Sequence, residues 1–289
     1  MSFEPPGSPG DVVPLRLPRP AELFARRARR FRELAPGNPM GEFLDALGDV
    51  AEAQAEALGA IPPAPPVAVA PGAPPLRSMS HERSPAWREA LAAIVASLRS
   101  RPWPAPAAAA LRRLAGAWPE ELEAMAAGVL AGTPATTDLA AAPFVGAALQ
   151  VYFSSLASVL PVTAVSPSHG GCPVCDSPPV AGLVLGDDKL RYLCCSLCSS
   201  EWNLTRIQCW NCRGTGGIRY LGMAGDEGAV KAEACSTCGA YLKLFYREKM
   251  PDAEPLADDV ASLTLDLLAA QEGWGRSGVN LFLLGGAEG

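Results

Sequence analysis

Apolar residues recur at helical spacing through the first half of the chain. Leu23, Phe24, Phe31 and Leu34 belong to a run that begins near Pro20, where proline suits a first helical turn, and Ala35-Pro36-Gly37-Asn38-Pro39 stops it. Arg26, Arg27, Arg29, Arg30 and Arg32 sit in the same run. Five arginines in seven residues cannot share one stripe, so they read either as a docking surface for an acidic partner segment or as a solvated helix face. Phe43, Leu44, Leu47 and Val50 start a second helix that runs to about Leu58. Residues 59–76 are rich in Pro and Ala, carry no acidic or basic side chain and read as a linker.

Ser84-Pro85 is a cap-plus-first-turn pair for a third helix, whose stripe is Trp87, Leu91, Ile94, Val95 and Leu98. Leu111, Leu114 and Trp118 mark a fourth. Pro119-Glu120-Glu121 opens a fifth, with acids in the turn where the helix dipole favours them, and Leu122, Met125 and Val129 face inward. From Leu139 to Gly171 no residue is charged. Phe144–Leu160 approaches a membrane span in apolarity, but Gln150, Ser154, Ser155 and Ser158 interrupt it and Pro143 and Pro161 limit its length. A central helix buried on most sides is expected instead. The period then changes. Val180–Leu185 and Leu190–Cys194 are short β-prone runs joined by Gly186-Asp187-Asp188, a hairpin signature, and Trp202–Ile207, Ile218–Leu221 and Tyr241–Tyr246 are further strand candidates. After Pro251 and Pro255 a last helix carries Leu256, Val260, Leu263 and Leu267, with Asp258, Asp259 and Asp266 off that stripe. Neighbouring Asp258 and Asp259 point apart on a helix and make no acid–base dyad.

Composition narrows the function classes. With 289 residues, 49% of them hydrophobic, the chain is long enough for a large buried core. A net charge of −6 argues against a nucleic-acid-binding ribbon, which needs a basic groove for phosphates. Met1 to Pro20 holds six prolines and no apolar run, so no secretory signal is expected there. No GxGxxG, phosphate-binding loop or catalytic triad stands out.

The chemistry lies between Cys172 and Cys238, which encloses all nine cysteines. Eight form C-x-x-C pairs: Cys172 with Cys175, Cys195 with Cys198, Cys209 with Cys212, and Cys235 with Cys238. A C-x-x-C turn can present both sulfurs on one side of a tight loop. Two such turns build a tetrahedral four-sulfur cage, which suits zinc or a single iron. The gaps of 19 residues after Cys175 and 22 after Cys212 each fit a hairpin that returns one knuckle to the other. The simplest arrangement is two sites in series, though an interleaved one satisfies the same spacing. Disulfides fit poorly, because disulfide frameworks belong to short secreted domains; reduced thiolates point to a cytoplasmic setting. Cys194 reads as a small strand residue outside the C-x-x-C register. His169, three residues before Cys172, and His81 have no evident metal-binding or catalytic role, and Tyr192, Trp202 and Trp210 read as shields for the sulfurs.

Taken together, Arg26-Arg27-Ala28, Asn38-Pro39-Met40-Gly41, Cys172-Pro173-Val174-Cys175, Leu190-Arg191-Tyr192-Leu193, Cys195-Ser196-Leu197-Cys198 and Glu201-Trp202 resemble the FdhE family. So do Lys231-Ala232-Glu233, Tyr241-Leu242-Lys243, Ala257-Asp258-Asp259-Val260-Ala261-Ser262-Leu263 and Gln271-Glu272-Gly273. The resemblance implies an α+β multidomain protein: an α-helical N-terminal domain, two tandem rubredoxin-like or zinc-ribbon modules, and a C-terminal helix. Its parts would be a disordered leader over 1–20, the helical domain over 21–165, metal modules over 166–207 and 208–250, and a helix and tail over 251–289. It further implies a cytoplasmic, non-enzymatic assembly factor for respiratory formate dehydrogenase that binds the catalytic subunit, with iron at both four-cysteine sites and zinc as the other candidate. No nucleic-acid partner and no stable membrane insertion are expected. A rubredoxin-like electron-transfer protein is the other function class. Two departures matter. The residue after each second cysteine favours φ > 0 and hence glycine, which Gly239 satisfies; Asp176, Ser199 and Arg213 stand elsewhere, so the third knuckle is expected to be looser. The family's Asn-Pro-Phe near the C-terminus is Asn280-Leu281-Phe282 here.

Overall fold

Proline placement starts most of the helices where the sequence marks them. The computed structural model describes residues 12–165, 171–223, 225 and 227–284. Six helices form the N-terminal half: α1 (Pro20–Leu34), α2 (Gly41–Ala57), α3 (Ala86–Leu98), α4 (Ala105–Gly116), α5 (Pro119–Ala131) and α6 (Ala142–Ser158). Proline occupies the first turn of α1, α4, α5 and α6, where its missing N–H costs no helical hydrogen bond. The third helix starts one residue later than its sequence suggests. Pro85 precedes α3 in place of Ser84 and offers no capping side chain, while Ser84 N–H donates to Tyr152 Oη (3.0 Å).

The uncharged α6 is the axis of this half. Phe144, Val145, Leu149, Val151 and Phe153 are fully or almost fully buried, as α2, α3 and α5 pack around it. No helix among the described residues is long and apolar enough to cross a membrane. Trp118 does not belong to the α4 stripe; it directly precedes α5 and is 76% exposed. Glu123 of α5 instead ties the helices together, accepting from Trp87 Nε1 (2.8 Å) and from Arg83 and Arg88.

Among the described residues the strands form one eight-stranded sheet, all but the first of them from the second half. Its order is β1 (Leu15–Arg16), β4 (Glu201–Asn203), β3 (Leu190–Cys195), β2 (Pro179–Leu185), β7 (Ala240–Tyr246), β6 (Val230–Cys235) and β5 (Ile218–Leu221), with β8 (Gly275–Arg276) beside β7. Strands β2–β4 and β5–β7 are two antiparallel units, each carrying one group of cysteines. They fuse where β2 runs parallel to β7, Gly182 facing Leu244. A side chain at Gly182 would lie 2.6 Å from Leu244 Cδ2, so glycine lets the two units meet. Strand β2 is buried almost throughout and is covered by α7 (Pro255–Ala261), hence its unbroken apolar run.

Several elements differ from the pattern-based expectation. Part of the expected leader, Leu15–Arg16, joins the sheet edge through β4. The strand expected over Trp202–Ile207 ends at Asn203, because Arg191 holds the next stretch as a loop. Its guanidinium donates to the carbonyls of Leu204, Thr205 and Gln208 and pairs with Glu233 of β6, joining the two units. Strand β6, Val-Lys-Ala-Glu-Ala-Cys, has little intrinsic β preference and is imposed by its neighbours β5 and β7. The last helix divides at Ser262 into α7 and α8 (Leu263–Gln271). Leu267 is 66% exposed there, and Leu265 and Ala269 face inward instead.

Candidate metal centres

Each C-x-x-C pair sits on a knuckle whose backbone can be followed residue by residue. In the first, Asp176 N–H donates to Cys172 O (2.8 Å) and Cys172 N–H donates to Ser177 O (2.8 Å). The third repeats this with Arg213 N–H to Cys209 O (3.0 Å) and Cys209 N–H to Gly214 O (2.8 Å). The residue after the second cysteine is left-handed in all four: Asp176 at φ 66°, Ser199 at 57°, Arg213 at 63° and Gly239 at 71°. The third knuckle is therefore not looser. Its closing hydrogen bonds hold Arg213 in a conformation its side chain disfavours.

The knuckles assemble in series. Cys172, Cys175, Cys195 and Cys198 form one group, and Cys209, Cys212, Cys235 and Cys238 the other; within each, all sulfurs lie within 4.8 Å of one another. Across the first group, Cys172 and Cys198 Sγ are 3.6 Å apart and Cys175 and Cys195 Sγ 3.3 Å. In the second, Cys209 and Cys238 Sγ are 3.8 Å apart and Cys212 and Cys235 Sγ 3.7 Å. A tetrahedron with metal–sulfur bonds of about 2.3 Å has edges of about 3.8 Å. These separations fit such an ion and are far from the roughly 2.05 Å of a disulfide. Backbone N–H groups aim inward as a thiolate needs: Leu197 and Cys198 each donate to Cys195 Sγ at 3.4 Å.

Protonation of the sulfurs follows their surroundings. Burial pushes the Cys172 and Cys198 thiols well up. Cys175 is held well down in spite of its burial by hydrogen bonds from Cys172, Cys195, Cys198 and Ser177. In the second group burial lifts Cys209 to about 12. Cys235 is lowered to about 7, against burial, by the backbone N–H groups of Cys238 and Thr237. The hydrogen bonds that lower Cys175 and Cys235 favour their thiolate forms. Loading a metal would displace thiol protons.

The first group is wired into the helical half. Arg27, completely buried on α1, donates through Nε to Glu254 Oε1 (3.0 Å), through Nη1 to Gln150 Oε1 (3.2 Å) and through Nη2 to Ser199 Oγ (3.2 Å). Gln150 of α6 donates onward to the carbonyl of Ser196, inside the second knuckle, at 2.7 Å. Gln54 of α2 donates to Gln150 Oε1 at 2.9 Å. Glu254 caps α7, accepting from Leu256 and Ala257 N–H. The end of the Pro-rich linker and the residues just after it touch the first knuckle too, with Leu76 and Ser78 N–H on the carbonyls of Val174 and Cys175.

Within the arginine cluster, Arg27, Arg30 and Arg32 are thus committed to carboxylates of the chain itself. Besides Arg27, Arg30 forks onto Asp258 (3.0 and 2.7 Å) and Arg32 pairs with Asp49 and Glu52; Arg29 is left on the exterior. Asp258 and Asp259 are both buried, and they do point apart. Asp258 takes Arg30, while Asp259 takes Lys243 (3.0 Å) and Arg276. The stretch Asn280–Phe282 is part of the core: Asn280 Nδ2 donates to Leu256 O (3.1 Å), and Phe282 packs edge-on against Phe31 at 5.9 Å. Cys194 is buried in β3 outside both sulfur groups. Tyr192 donates to Val13 O (2.9 Å) under Arg16, and Trp210 to Ser277 Oγ (2.8 Å). His81 is half-buried against Tyr152 and Phe153; His169 lies outside the described residues.

Comparison with known proteins places this arrangement. Three family models match in order: "FdhE, N-terminal" over residues 12–169, "FdhE, central domain" over 171–206 and "FdhE, C-terminal domain" over 207–283. The Protein FdhE homolog of Cronobacter sakazakii is 38% identical over 286 residues, and Protein FdhE of Escherichia coli O1:K1 is 39% identical over 286. In both cases the match covers 95% of this chain and 92% of the relative. The crystal structure of the FdhE protein from Pseudomonas aeruginosa is similar with a TM-score of 0.84 and 36% identity, over 96% of this chain and 100% of that one.

Proposed function

This chain belongs to the FdhE family, and we propose that it is an accessory protein for the assembly or activation of respiratory formate dehydrogenase, binding that enzyme's catalytic subunit in the cytoplasm. The supporting observation is that the family match spans the helical half as well as both cysteine units, residues 12–283. An isolated metal ribbon would share only its knuckles. In this reading the eight paired cysteines are thiolate ligands, four to each metal, with iron bound in the rubredoxin manner and zinc the other ion such a set accepts. A bound ion supplies a cross-link between two knuckles. The chain's own residues do the rest: the N–H groups of Leu197 and Cys198 steady Cys195, and Arg27 and Gln150 anchor its knuckle to the helices.

The role is that of a binding protein and not an enzyme. The sulfurs of each group face one another as a complete four-ligand set, and among the described residues no other His, Asp or Glu joins either set. One observation favours the alternative reading of a rubredoxin-like redox protein: Cys212 and Cys238 are exposed, within reach of a docked electron partner. Anaerobic capture of the tagged protein from its own organism, with mass spectrometry of what it retains, decides between them. Recovery of the formate dehydrogenase catalytic subunit is the expected result; recovery of electron-transfer proteins without that subunit would overturn the assembly reading. Metal analysis with visible spectroscopy tests the ion, a red colour that bleaches on reduction being expected for iron.

A further inference from the structure

The Asn38-Pro39-Met40-Gly41 stretch is not part of either cysteine group, yet its geometry is tightly set. Asn38 Nδ2 donates to Ala261 O at the end of α7 (3.0 Å), and its Oδ1 accepts from Met40 N–H (2.9 Å). A side chain on Gly41 would meet Ala35 O at 2.7 Å, so glycine is needed for the turn. This turn forms one end of a groove of about 1240 Å³ between the start of α2, the α3–α4 connection and the start of α6. The volume exceeds the roughly 300–1,000 Å³ of small-molecule pockets and suits a stretch of polypeptide.

The groove has an apolar floor and an acidic edge. Met40, Phe43 and Trp103 line it while partly exposed. Trp103 is held in place by donation from Nε1 to Leu98 O (2.8 Å) and by edge-on packing against Phe144 at 5.6 Å. Pro39, Pro102, Pro104, Pro106 and Pro143 also line it and offer no N–H, so the walls are poorly suited to adding a strand and recognition falls to side chains. Glu42 and Asp45 stand exposed on the edge, three residues apart and therefore neighbours on α2. Their carboxylates have no ion-pair or hydrogen-bond partner among the described residues. Asp49, also in the lining, is by contrast neutralised by Arg32 and Arg101. The helix dipole accounts for Glu42, which lies in the first turn of α2; Asp45 lies beyond it.

We infer that this groove binds a short segment of the client's catalytic subunit in which apolar residues alternate with lysine or arginine. The apolar side chains sit on Met40, Phe43 and Trp103, and the cationic ones meet Glu42 and Asp45. The identity of the client rests on the function proposed above; the chemistry of the segment rests on the groove. The test is an array of overlapping peptides covering the formate dehydrogenase catalytic subunit and this chain itself, probed with the full-length protein, together with capture of the intact subunit. Three proteins are compared: the wild type, Glu42→Lys/Asp45→Lys, and a control with the same change of net charge on the β2–β3 turn, Asp187→Lys/Asp188→Lys. Basic–apolar client peptides should bind the wild type and the control alike, and bind the groove variant at least about tenfold more weakly, since like charges would then face each other. Equal binding to the groove variant, or preference for a segment of this chain, would overturn the inference. Capture of the intact subunit with no peptide binding would overturn the groove and leave the assembly role standing. Failure to capture subunit or peptides would overturn both.

Discussion

Around the first sulfur group all four cysteines are buried; around the second, Cys212 and Cys238 reach solvent. The knuckles themselves are alike in turn, spacing and left-handed closing residue, so ligand chemistry does not distinguish the sites. What lies around them does. The first is joined through Ser196 and Ser199 to Gln150 and Arg27, and through them to α1, α6 and α7. The second connects chiefly to its own strands and to the segment after α8, through Trp210 and Ser277. The same four-sulfur motif therefore serves as a clasp for the whole chain in one place and as a local, accessible site in the other.

The contrast can be broken from either side. The largest effect is expected when a ligand of the clasp is lost. Cys198→Ser should release the first metal and lower the melting temperature of the helices as well as the sheet, because metal binding is coupled to folding. Cys212→Ser should cost one metal equivalent yet leave the helical circular-dichroism transition nearly in place. Equal thermal shifts for the two variants would erase the distinction. Next comes Arg27→Met, which keeps the first ligands but leaves Glu254 buried without its cation. A loss of about 3–5 kcal/mol is expected by urea unfolding, the usual cost of breaking a buried pair from one side. The smallest effect is at Cys194→Ser, where metal content should stay at the wild-type value; loss of one equivalent would mean that Cys194, and not its neighbour Cys195, is the ligand. Acid acts on both sites. The loaded state holds fewer protons than the empty one, so metal should leave both as pH falls, checked by metal analysis across a pH series.

Much of this was legible in the chain because it is local. C-x-x-C spacing sets a knuckle within four residues, and the stripes of α2 and α3 follow from their own periodicity. The grouping of Cys172 with Cys198 was only the simplest arrangement the spacing allowed; the β2–β3 hairpin, not the spacing, decides it against an interleaved one. What stayed hidden depends on distant partners. Arg27 and Arg30 look like surface charges until Glu254 and Asp258, 227 and 228 positions away, are brought beside them. Strand β6 shows little β preference of its own. The break at Ser262 arises because buried Lys243 holds Asp259 O and the Ser262 hydroxyl, a contact no helical period announces. The unpaired Glu42 and Asp45 differ from Asp49 only through where Arg32 and Arg101 reach.

The central claim, one buried clasp and one accessible site, is tested most directly by an anaerobic chelator challenge on the fully loaded protein. Metal release would be followed in time, with alkylation and mass spectrometry to identify the freed thiols. The account predicts two phases, with Cys209, Cys212, Cys235 and Cys238 modified in the fast one and Cys172, Cys175, Cys195 and Cys198 protected until the chain unfolds. A single phase, or earlier modification of the first group, would contradict it.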